Sequence, residues 1–345
     1  MIFLHKGFKR YLLKRHKRDT RKIILWRSFV LKFSVIVPTR NRSASLRRLL
    51  LSILKQTIFP SEVIVVDDSD NLETKNLVEQ LYGLFLGKGI KLRHIMPNEN
   101  SKSVSRARNL GAKEAEGDIV LFLDDDVVID QNYLKEILEV FKAKLNALGV
   151  QGLVVNMQYS HFWNSVKKIF FYWHAEKDKC RMLPSGKTTF AYAPNGVIPC
   201  EWLFGLNVAY KKEVFKEFSF NEKLLGYSLG EDKEFSYKIH KKYPGSLLLT
   251  PFARVYHYPP PSENVSKQKI YIITAYPISF FLNNIEQTLK NRIIFLWSEI
   301  GRMLLSIIWS LPNATKIKHI ITAYFEAIRH INDIKNENYS FIFRI

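Results

Sequence analysis

A chain of 345 residues with 47% hydrophobic side chains has enough apolar material for a real core, which excludes a largely disordered protein. The length suits about two domains, or one large α/β domain with appendages. Two cysteines, Cys180 and Cys200, form neither a metal-binding spacing nor a disulfide framework, so we expect reduced thiols in a cytoplasmic protein.

A basic amino-terminal segment carries nearly half of the net charge of +20. Residues 1–28 hold ten Lys or Arg and one Asp, interleaved with large apolar residues such as Trp26. That mixture is typical of a helix on an anionic membrane surface, and an RNA-binding arm or a solvated tail has a similar composition. No apolar segment with a small-residue cleavage site follows, so we expect no secretory signal.

Strands and helices alternate over the first half of the chain. Short apolar runs predict buried strands, and apolar residues spaced i, i+3, i+4 and i+7 predict helices between them. The predicted strands are Phe33–Pro38, Glu62–Asp68, Ile90–Met96, Ile119–Leu123 and Val150–Val155. Four helices are predicted. The first has Ser43 as its N-cap, the second includes Leu77–Phe85, the third runs from Ser101 to Glu116, and the fourth includes Leu134–Phe141. This alternation predicts an α/β fold with a parallel sheet and right-handed crossovers.

Carboxylates follow two of these strands. Asp67 and Asp68 end the second, and Asp124–Asp126 come directly after Ile119–Leu123. An isolated run of three acids is as typical of a solvated turn as of a site. Five acids from two strands share the carboxyl edge of the sheet, however, where open α/β folds bind ligands. Acids so close raise one another's pKa unless a cation is present, so we expect a divalent cation there.

Two phosphate-binding motifs are missing from the sequence. Neither G-x-G-x-x-G nor G-x-x-x-x-G-K-[ST] occurs, which removes the main support for a dinucleotide-dependent dehydrogenase or a P-loop protein. The phosphates of a bound nucleotide would then be held through a metal and basic side chains.

The pattern loosens after residue 156. Arg181–Pro199 has the Gly, Pro, Ser and Thr content of a mobile loop. Gly230–His240 predicts a helix with acids in its first turn, where acids are about as often structural as catalytic because they complement the helix dipole. Ser246–Thr250 and Arg254–Tyr258 predict two short strands.

Two apolar segments follow near the carboxyl end. Ile270–Ile285 is uncharged, but its 16 residues include Pro277 and fall short of the ~20 that a bilayer span needs. A helical stripe then opposes a polar face of Glu299, Arg302 and Ser306. The stripe consists of Ile293, Leu296, Trp297, Ile300, Met303, Leu304, Ile307 and Ile308. This amphipathic helix is equally compatible with packing on the preceding domain and with a membrane interface.

Six segments, in this order and spacing, carry a family resemblance. They are FSVIVPTRNR from Phe33, EVIVVDDSD from Glu62, SRARNLGAKEAEGDIVLFLDDD from Ser105, EWLFGLNVAYKKEVF from Glu201, GEDKEFSYKIHKK from Gly230 and ARVYHY from Ala253. Together they resemble a family 2 glycosyltransferase with the A-type nucleotide-sugar fold, a mostly parallel mixed sheet with flanking helices. The resemblance covers roughly residues 33–258.

The resemblance also implies a domain plan. Residues 31–262 would form the catalytic domain, with a nucleotide-binding half at 31–130 and an acceptor half at 131–262. A basic amphipathic arm at 1–30 would precede it, and a helical region at 263–345 would follow.

The implied activity is an inverting, metal-dependent transfer of one hexose from a nucleoside-diphosphate sugar to a hydroxyl of a glycan or lipid-linked acceptor. By the resemblance, the donor would be bound by Pro38, Thr39, Arg40, Asn41, Asp67, Asp68, Arg108, Asn109, Asp124 and Asp125. Asp126 and His257 would hold Mg²⁺ or Mn²⁺, a Lewis acid for the departing diphosphate. Asp232 would be the general base, and Trp202, Gly205 and Glu231 would line the sugar or acceptor pocket. Outside this context, His257 and Trp202 are ordinary packed residues.

The chain departs from the family at two points. Phe218–Glu222 reads FSFNE where relatives often have GGFDE, which leaves the acceptor type undefined. The Gln-x-x-Arg-Trp signature of processive synthases is missing, so we expect one sugar per encounter. We expect a peripheral protein on the cytoplasmic face of the membrane, with no nucleic-acid partner. The alternatives are a nucleotidyltransferase acting on sugar or lipid phosphates, and a non-catalytic basic module that binds membrane or nucleic acid.

Overall fold

The computed structural model describes residues 31–97, 103–224, 229–260 and 266–344. The predicted basic arm lies outside the described residues, and its role stays a prediction. The residues from Phe33 onward belong to one compact unit.

A mixed sheet dominates this unit. In the described ranges, nine strands join it in the order β3-β2-β1-β4-β10-β6-β11-β5, with β9 paired to β11. They are β1 (Phe33–Thr39), β2 (Glu62–Asp67), β3 (Lys91–Ile95), β4 (Ile119–Leu123), β5 (Val127–Ile129), β6 (Gly149–Val154), β9 (Ile198–Pro199), β10 (Asn207–Lys211) and β11 (Leu247–His257). A separate two-stranded sheet pairs β7 (His174–Glu176) with β8 (Thr189–Ala191).

The strand directions place the carboxyl ends of the first strands together. Strands β1, β2, β3 and β4 are parallel neighbours, and β10 runs antiparallel between β4 and β6. This confirms the predicted α/β fold with a mostly parallel mixed sheet. The two short strands predicted after residue 245 are one strand, β11, with a register shift between Thr250 and Arg254.

Helices flank the sheet. They are α1 (Ser43–Ile53), α2 (Glu73–Leu86), α3 (Val104–Glu114), α4 (Tyr133–Ala143), α5 (His161–Ile169), α6 (Glu231–Lys242), α7 (Lys267–Asn284), α8 (Leu289–Ile308), α9 (Ala314–Arg329) and α10 (Ile331–Lys335). The three for which an apolar face was predicted in the first half of the chain, α1, α2 and α4, bury that face. Ser43 is not a cap, because Arg42 is the residue that precedes the helix and the Ser43 hydroxyl donates to Glu73 Oε2 at 2.8 Å.

Part of the predicted mobile loop at 181–199 is packed. Lys187, Thr188, Phe190 and Ala191 are each less than 9% exposed. Trp173 stacks on Phe190 at 4.4 Å between ring centroids. Residues 185–191 are buried, whereas Tyr192, Ala193 and Val197 are exposed, so composition alone did not predict which part of the segment packs.

The carboxyl-terminal helices pack on one another in a second apolar cluster. Helix α7 has ten buried residues, among them Tyr271 and Phe281. Phe281 stacks on Phe295 of α8 at 3.9 Å between centroids. Across the described residues, no helix is both long and apolar enough to cross a membrane.

Helix α8 packs with the opposite face from the one that its apolar stripe suggests. The polar side, with Glu299 and Arg302, is buried, whereas Ile293, Leu296 and Ile300 are between 47% and 61% exposed. The helix contacts the rest of the protein, as one of the two predictions has it, but mainly through its polar side. The stripe contributes packing contacts from Met303, Ile307 and Trp297.

Candidate active site

Three consecutive carboxylates leave β4 and take separate partners. Asp124 Oδ1 accepts from Arg108 Nη2 at 3.0 Å, and Asp125 Oδ2 accepts from Thr39 Oγ1 at 2.7 Å. Asp126 lies 7% exposed at the start of the turn into β5. All three acids lie together at the carboxyl edge of the sheet, as predicted.

Arg42 is a site residue that the sequence analysis missed. Its Nη1 lies 3.2 Å from Asp125 Oδ1 and 3.4 Å from Asp126 Oδ2. Desolvation lowers the pKa of Arg42, but the nearby carboxylates outweigh desolvation and leave this pKa raised. Burial raises the pKa of Asp125 to about 6, although Thr39 and Arg42 oppose this shift. The sequence signal that could have identified Arg42 was a basic residue in the turn after the first strand.

Asp126 and His257 face each other across the last strand pair. Strand β11 runs antiparallel to β5 with His257 opposite Val127, which brings His257 Nε2 to 3.3 Å from Asp126 Oδ1. Among the described residues, Asp126 Oδ1 is buried and has no hydrogen-bond partner. A buried carboxylate oxygen without a donor, beside an imidazole nitrogen, is a pair of ligands suited to a divalent cation.

The described residues include no group of three or more His, Cys, Asp or Glu side chains arranged to hold a metal. Two protein ligands nevertheless fit a hard cation such as Mg²⁺, which is usually bound by one or two carboxylates with substrate phosphates and water completing its shell. The residues present therefore fit a cation that arrives together with a diphosphate.

A buried guanidinium connects the acidic edge to helix α6. Arg108 is 3% exposed, pairs with Glu231 through Nη1, and donates from Nη2 to Asp124 and to the Gly205 carbonyl. Its pKa is raised because the carboxylates of Glu231, Asp124 and Asp232 outweigh desolvation. Burial and the neighbouring Asp232 raise the pKa of Glu231 to about 8, and Arg108 opposes that shift.

Asp232 occupies the first turn of α6 at the rim of this cluster. Its Oδ2 accepts from Gly205 N at 2.7 Å and its Oδ1 accepts from Lys233 N at 2.6 Å, and its side chain is partly exposed. A Cβ at position 205 would lie 2.8 Å from the Asp232 Cβ and 2.9 Å from the Arg108 guanidinium, so only glycine lets the segments approach this closely. Ser236 Oγ, which accepts from Leu203 N at 3.0 Å, fixes the same loop to α6.

The acids after β2 have partners of their own. Asp67 is 2% exposed, and it is bonded to His94 Nε2 at 2.9 Å and to Ser69 N at 3.0 Å. Burial raises its pKa, but those hydrogen bonds outweigh burial and leave the pKa lowered. Asp68, whose backbone N donates to Thr39 O at 2.9 Å, lies at the same sheet edge. The five predicted acids therefore share an edge but not a single cluster.

The turn after β1 is tied to the turn after β2. Arg40 Nη2 lies 3.2 Å from Asp70 Oδ2, and Asn41 exchanges two hydrogen bonds with Asp70 through its side-chain amide. Asn41 has φ of 56°, a left-handed conformation that asparagine tolerates. Pro38 lies within β1 opposite Val66. These residues shape the edge around Asp67 and do not touch Asp124–Asp126.

Two predicted site residues lie elsewhere. The Asn109 amide donates to Phe220 O at 3.0 Å and to Glu222 Oε1 at 2.8 Å, and the residue lines a separate cavity of about 970 Å³. Trp202 is 4% exposed, donates from Nε1 to Thr189 O at 2.8 Å, and lines a cavity of about 20 Å³. The structure brings neither residue into the cluster around Asp124.

With this geometry established, the comparisons with known proteins assign the family. Residues 34–204 match the model described as glycosyl transferase family 2. This segment belongs to that family, and the chain carries a family 2 glycosyltransferase domain. The predicted family is confirmed.

Two named relatives are examples of the matches. The chain is 39% identical over 110 residues to poly(ribitol-phosphate) beta-N-acetylglucosaminyltransferase TarS of Staphylococcus aureus strain Mu50, a match that covers 31% of this chain and 18% of TarS. It is 34% identical over 95 residues to GalNAc(5)-diNAcBac-PP-undecaprenol beta-1,3-glucosyltransferase of Campylobacter jejuni, covering 28% of this chain and 29% of that protein. These matches span less than a third of the relatives' own length.

Solved structures share the fold. The crystal structure of S. aureus TarS 1–349 in complex with UDP has a TM-score of 0.53 and 21% identity, and the match covers 90% of each chain. The crystal structure of GalNAc-T7 with UDP, GalNAc and Mn²⁺ has a TM-score of 0.53 and 19% identity, with 81% of this chain and 58% of that chain covered. The predicted A-type fold is confirmed.

Proposed function

We propose that this protein transfers one hexose, with inversion, from a nucleoside-diphosphate sugar to an acceptor hydroxyl. The observation that carries this is one arrangement at one sheet edge. The acids after β4, the Asp126–His257 pair, the buried Arg108 and the first turn of α6 meet at this edge, and their charges support binding of a nucleotide sugar there. The family of the domain supports the same reaction type.

Asp126 and His257 are the proposed ligands of Mg²⁺ or Mn²⁺. The unpaired Asp126 Oδ1 and the His257 Nε2 beside it supply one oxygen and one nitrogen donor. When bound, such a cation stabilises the negative charge on a departing diphosphate. Arg42, which contacts the other oxygen of Asp126, holds that carboxylate in place and offsets part of the local negative charge.

Donor binding is assigned to the edge around β1, β2 and β4. Thr39 orients Asp125, which directly precedes the proposed cation ligand Asp126. Hydrogen bonds with His94 and Ser69 keep the Asp67 carboxylate ionised. Arg108 holds Asp124 at 3.0 Å and fixes where that carboxylate meets the ribose or sugar. These residues would orient the donor before the reaction.

Asp232 is the proposed general base. Its neighbour Glu231 is buried against Arg108, whereas Asp232 is partly exposed and has one backbone donor on each oxygen. Each carboxylate oxygen keeps a further lone pair, so Asp232 can accept the proton of the attacking hydroxyl. Glu231 acts through Arg108 and is a positioning residue.

The acceptor is proposed to be a glycan or a lipid-linked glycan at the cytoplasmic face of the membrane. The names of the two relatives specify a polyol-phosphate polymer and an undecaprenol-linked saccharide as acceptors. The net charge of +20 supports attraction to an anionic membrane surface, to which the basic segment at 1–28 would contribute.

Product analysis is the test of this proposal. The protein is incubated with Mn²⁺ and a panel of nucleotide sugars, beginning with UDP-sugars because solved structures of this fold hold UDP. Release of nucleoside diphosphate, with the sugar moved to an acceptor or to water, supports glycosyl transfer. Release of pyrophosphate would assign nucleotidyl transfer instead, and no turnover across the panel together with no nucleotide binding would contradict an enzyme.

A further inference from the structure

The outward face of helix α8 is a continuous apolar stripe. Apart from the adjacent Leu296 and Trp297, its members are spaced three or four residues apart along 20 residues, a length of about 30 Å for an α-helix. The exposed residues are Leu289 (76%), Ile293 (58%), Leu296 (61%), Trp297 (44%), Ile300 (47%), Leu304 (45%) and Ile308 (49%). An apolar surface of this extent on a soluble fold marks an interaction site.

A buried ion cluster fixes which way this helix faces. Glu299 Oε2 accepts from Arg302 Nε at 2.9 Å, and Glu299 Oε1 lies 2.7 Å from Lys187 Nζ. Arg302 also donates from Nη1 to Ile273 O at 2.9 Å. A rotation that buried the stripe would bring these charges to the surface and leave their partners behind. The exposed stripe is therefore built into the fold.

Helix α5 extends the surface beside α8. Trp297 Nε1 donates to Ile169 O at 3.0 Å, and its ring lies 5.0 Å from Phe170. Trp163 meets Trp309 at 5.7 Å between centroids. Further exposed apolar residues lie on α5 and directly after α8. They include Phe162 (67%), Ile169 (64%), Trp309 (47%) and Leu311 (63%).

The exposed charges on α5 and α8 themselves are basic, and Lys168 lies 3.9 Å from Oε1 of Glu176 on β7. Lys167 and Lys168 lie on α5, and the exposed Lys290 and Arg292 lie at the start of α8. The two helices contain one carboxylate, Glu299, and it is buried. Apolar residues with Trp at the boundary and Lys or Arg beside them are typical of a helix lying in the plane of an anionic membrane interface.

We infer that the α5–α8 face inserts into the headgroup and upper acyl region of an anionic bilayer. A second copy of the chain is a poorer occupant, since pairing this face with itself would oppose its own basic residues in a protein of net charge +20. The face is distinct from the Asp126–His257 site, so this inference does not depend on the transfer chemistry. The inference adds only to the proposed location of the protein at the membrane.

Co-sedimentation with vesicles tests this surface through matched variants. L296Q/I300Q replaces two exposed residues of α8, and L84Q/L86Q replaces two residues of α2 that are 56% and 61% exposed. Glutamine is a good helix former, so both variants keep their helices. Full-length proteins are compared on phosphatidylcholine vesicles with and without phosphatidylglycerol, and at about 1 M salt, where the screening length is about 3 Å.

We expect L296Q/I300Q to lower the partition coefficient onto anionic vesicles at least about tenfold, because about two large side chains no longer enter the bilayer. The L84Q/L86Q protein should bind as the unmodified protein does. At high salt the difference between the variants should persist, since any contribution of residues 1–28 is common to both proteins.

Equal partitioning of the two variants would overturn the inference. A concentration-dependent dimer in light scattering that L296Q/I300Q abolishes would also overturn it, because a second copy would then cover the face. Thermal unfolding of each variant checks the fold. Donor hydrolysis in the absence of membranes should be unchanged in both, which separates this surface from the catalytic proposal.

Discussion

Lys187 and Glu299 meet in the interior, with Nζ 2.7 Å from Oε1. Lys187 belongs to the segment between β7 and β8, and Glu299 belongs to the polar side of α8. Together with Arg302 they form a buried ion cluster, in which Arg302 and Lys187 overcome desolvation and lower the pKa of Glu299 to about 2. This cluster joins α8 to the segment between β7 and β8.

Glu299→Gln should destabilise the protein strongly. The change leaves two buried cations without a counter-charge, for which about 3–5 kcal/mol is typical. Urea unfolding measures the loss. Glu79→Gln is the control, since Glu79 forms an exposed i, i+4 pair with Lys75 and should change stability by less than about 0.5 kcal/mol. Similar effects from the two variants would contradict a structural role for the cluster.

Asp126→Asn should remove the metal-dependent part of nucleoside-diphosphate binding. Asparagine keeps the shape and the contact region with Arg42 but loses the charge that a cation needs. Calorimetry with UDP compares Mn²⁺ with EDTA. Glu139→Gln, an exposed acid on α4, should bind as the unmodified protein does. Unchanged affinity in EDTA, or in Asp126→Asn, would show that nucleotide binding does not use this pair.

Asp232→Asn should leave donor binding nearly unchanged and reduce turnover by at least about 10²-fold, the lower range for loss of a general base. Glu231→Gln, by contrast, should weaken donor binding as well, because it releases Arg108 from its buried position. Steady-state kcat and KM with a fixed acceptor separate the two effects. Turnover like that of the unmodified protein in Asp232→Asn would assign the base elsewhere.

Arg42→Met and Arg40→Met compare two basic residues of one turn. Arg42 faces two buried carboxylates, so its loss should cost about 1–2 kcal/mol, less than a fully buried pair because its side chain is 45% exposed. Arg40 pairs with Asp70 at the surface, where both side chains are about half exposed, and its loss should cost less than about 1 kcal/mol. Equal losses in denaturant unfolding would remove Arg42 from the site.

Lys233→Met should flatten the dependence of stability on pH. Burial, with Lys187 nearby, lowers the pKa of Lys233 to about 7, and its Nζ lies 3.6 Å from the centre of the Phe280 ring. The unfolded chain, with a pKa of about 10.4 for lysine, keeps the proton over the range in which the folded chain releases it. The destabilisation is therefore complete below pH 7 and is lost as the pH rises toward 10.4.

The measurement for Lys233 is urea unfolding at pH 7 and pH 9. The stability of the unmodified protein relative to Lys233→Met should rise by about 1–2 kcal/mol between these values, discounted because the side chain is partly exposed. A constant difference between the two proteins would mean that Lys233 stays charged in the folded state.

The strands and most helices could be predicted because local pattern decides them. The run from Ile119 to Leu123 is apolar at every position, and β4 is buried throughout. The placement of Asp67 and Asp68 at one edge with Asp124–Asp126 also followed, since parallel strands end at one edge. Those inferences needed only periodicity and the rules of sheet topology.

Long-range partners decided the rest. Periodicity showed that α8 has two faces but not which one packs, because that depends on Lys187 more than a hundred residues earlier in the chain. Arg42 and Asn109 are distinguished from the residues next to them in sequence only by the distant residues that they contact. Arg42 faces the acids after β4, and Asn109 faces the loop at 220–222. Sequence spacing within one element holds no information on such partners.

The pairing of β5 with β11 sets the order in which the site can be completed during synthesis. Val127 at the start of β5 pairs with His257 at the end of β11, and most of the catalytic domain separates them along the chain. The amino-terminal part of a protein leaves the ribosome first, so the acids after β4 emerge well before their histidine. A nascent or shortened chain that stops before residue 257 carries all three aspartates and still lacks the pair proposed to hold the cation.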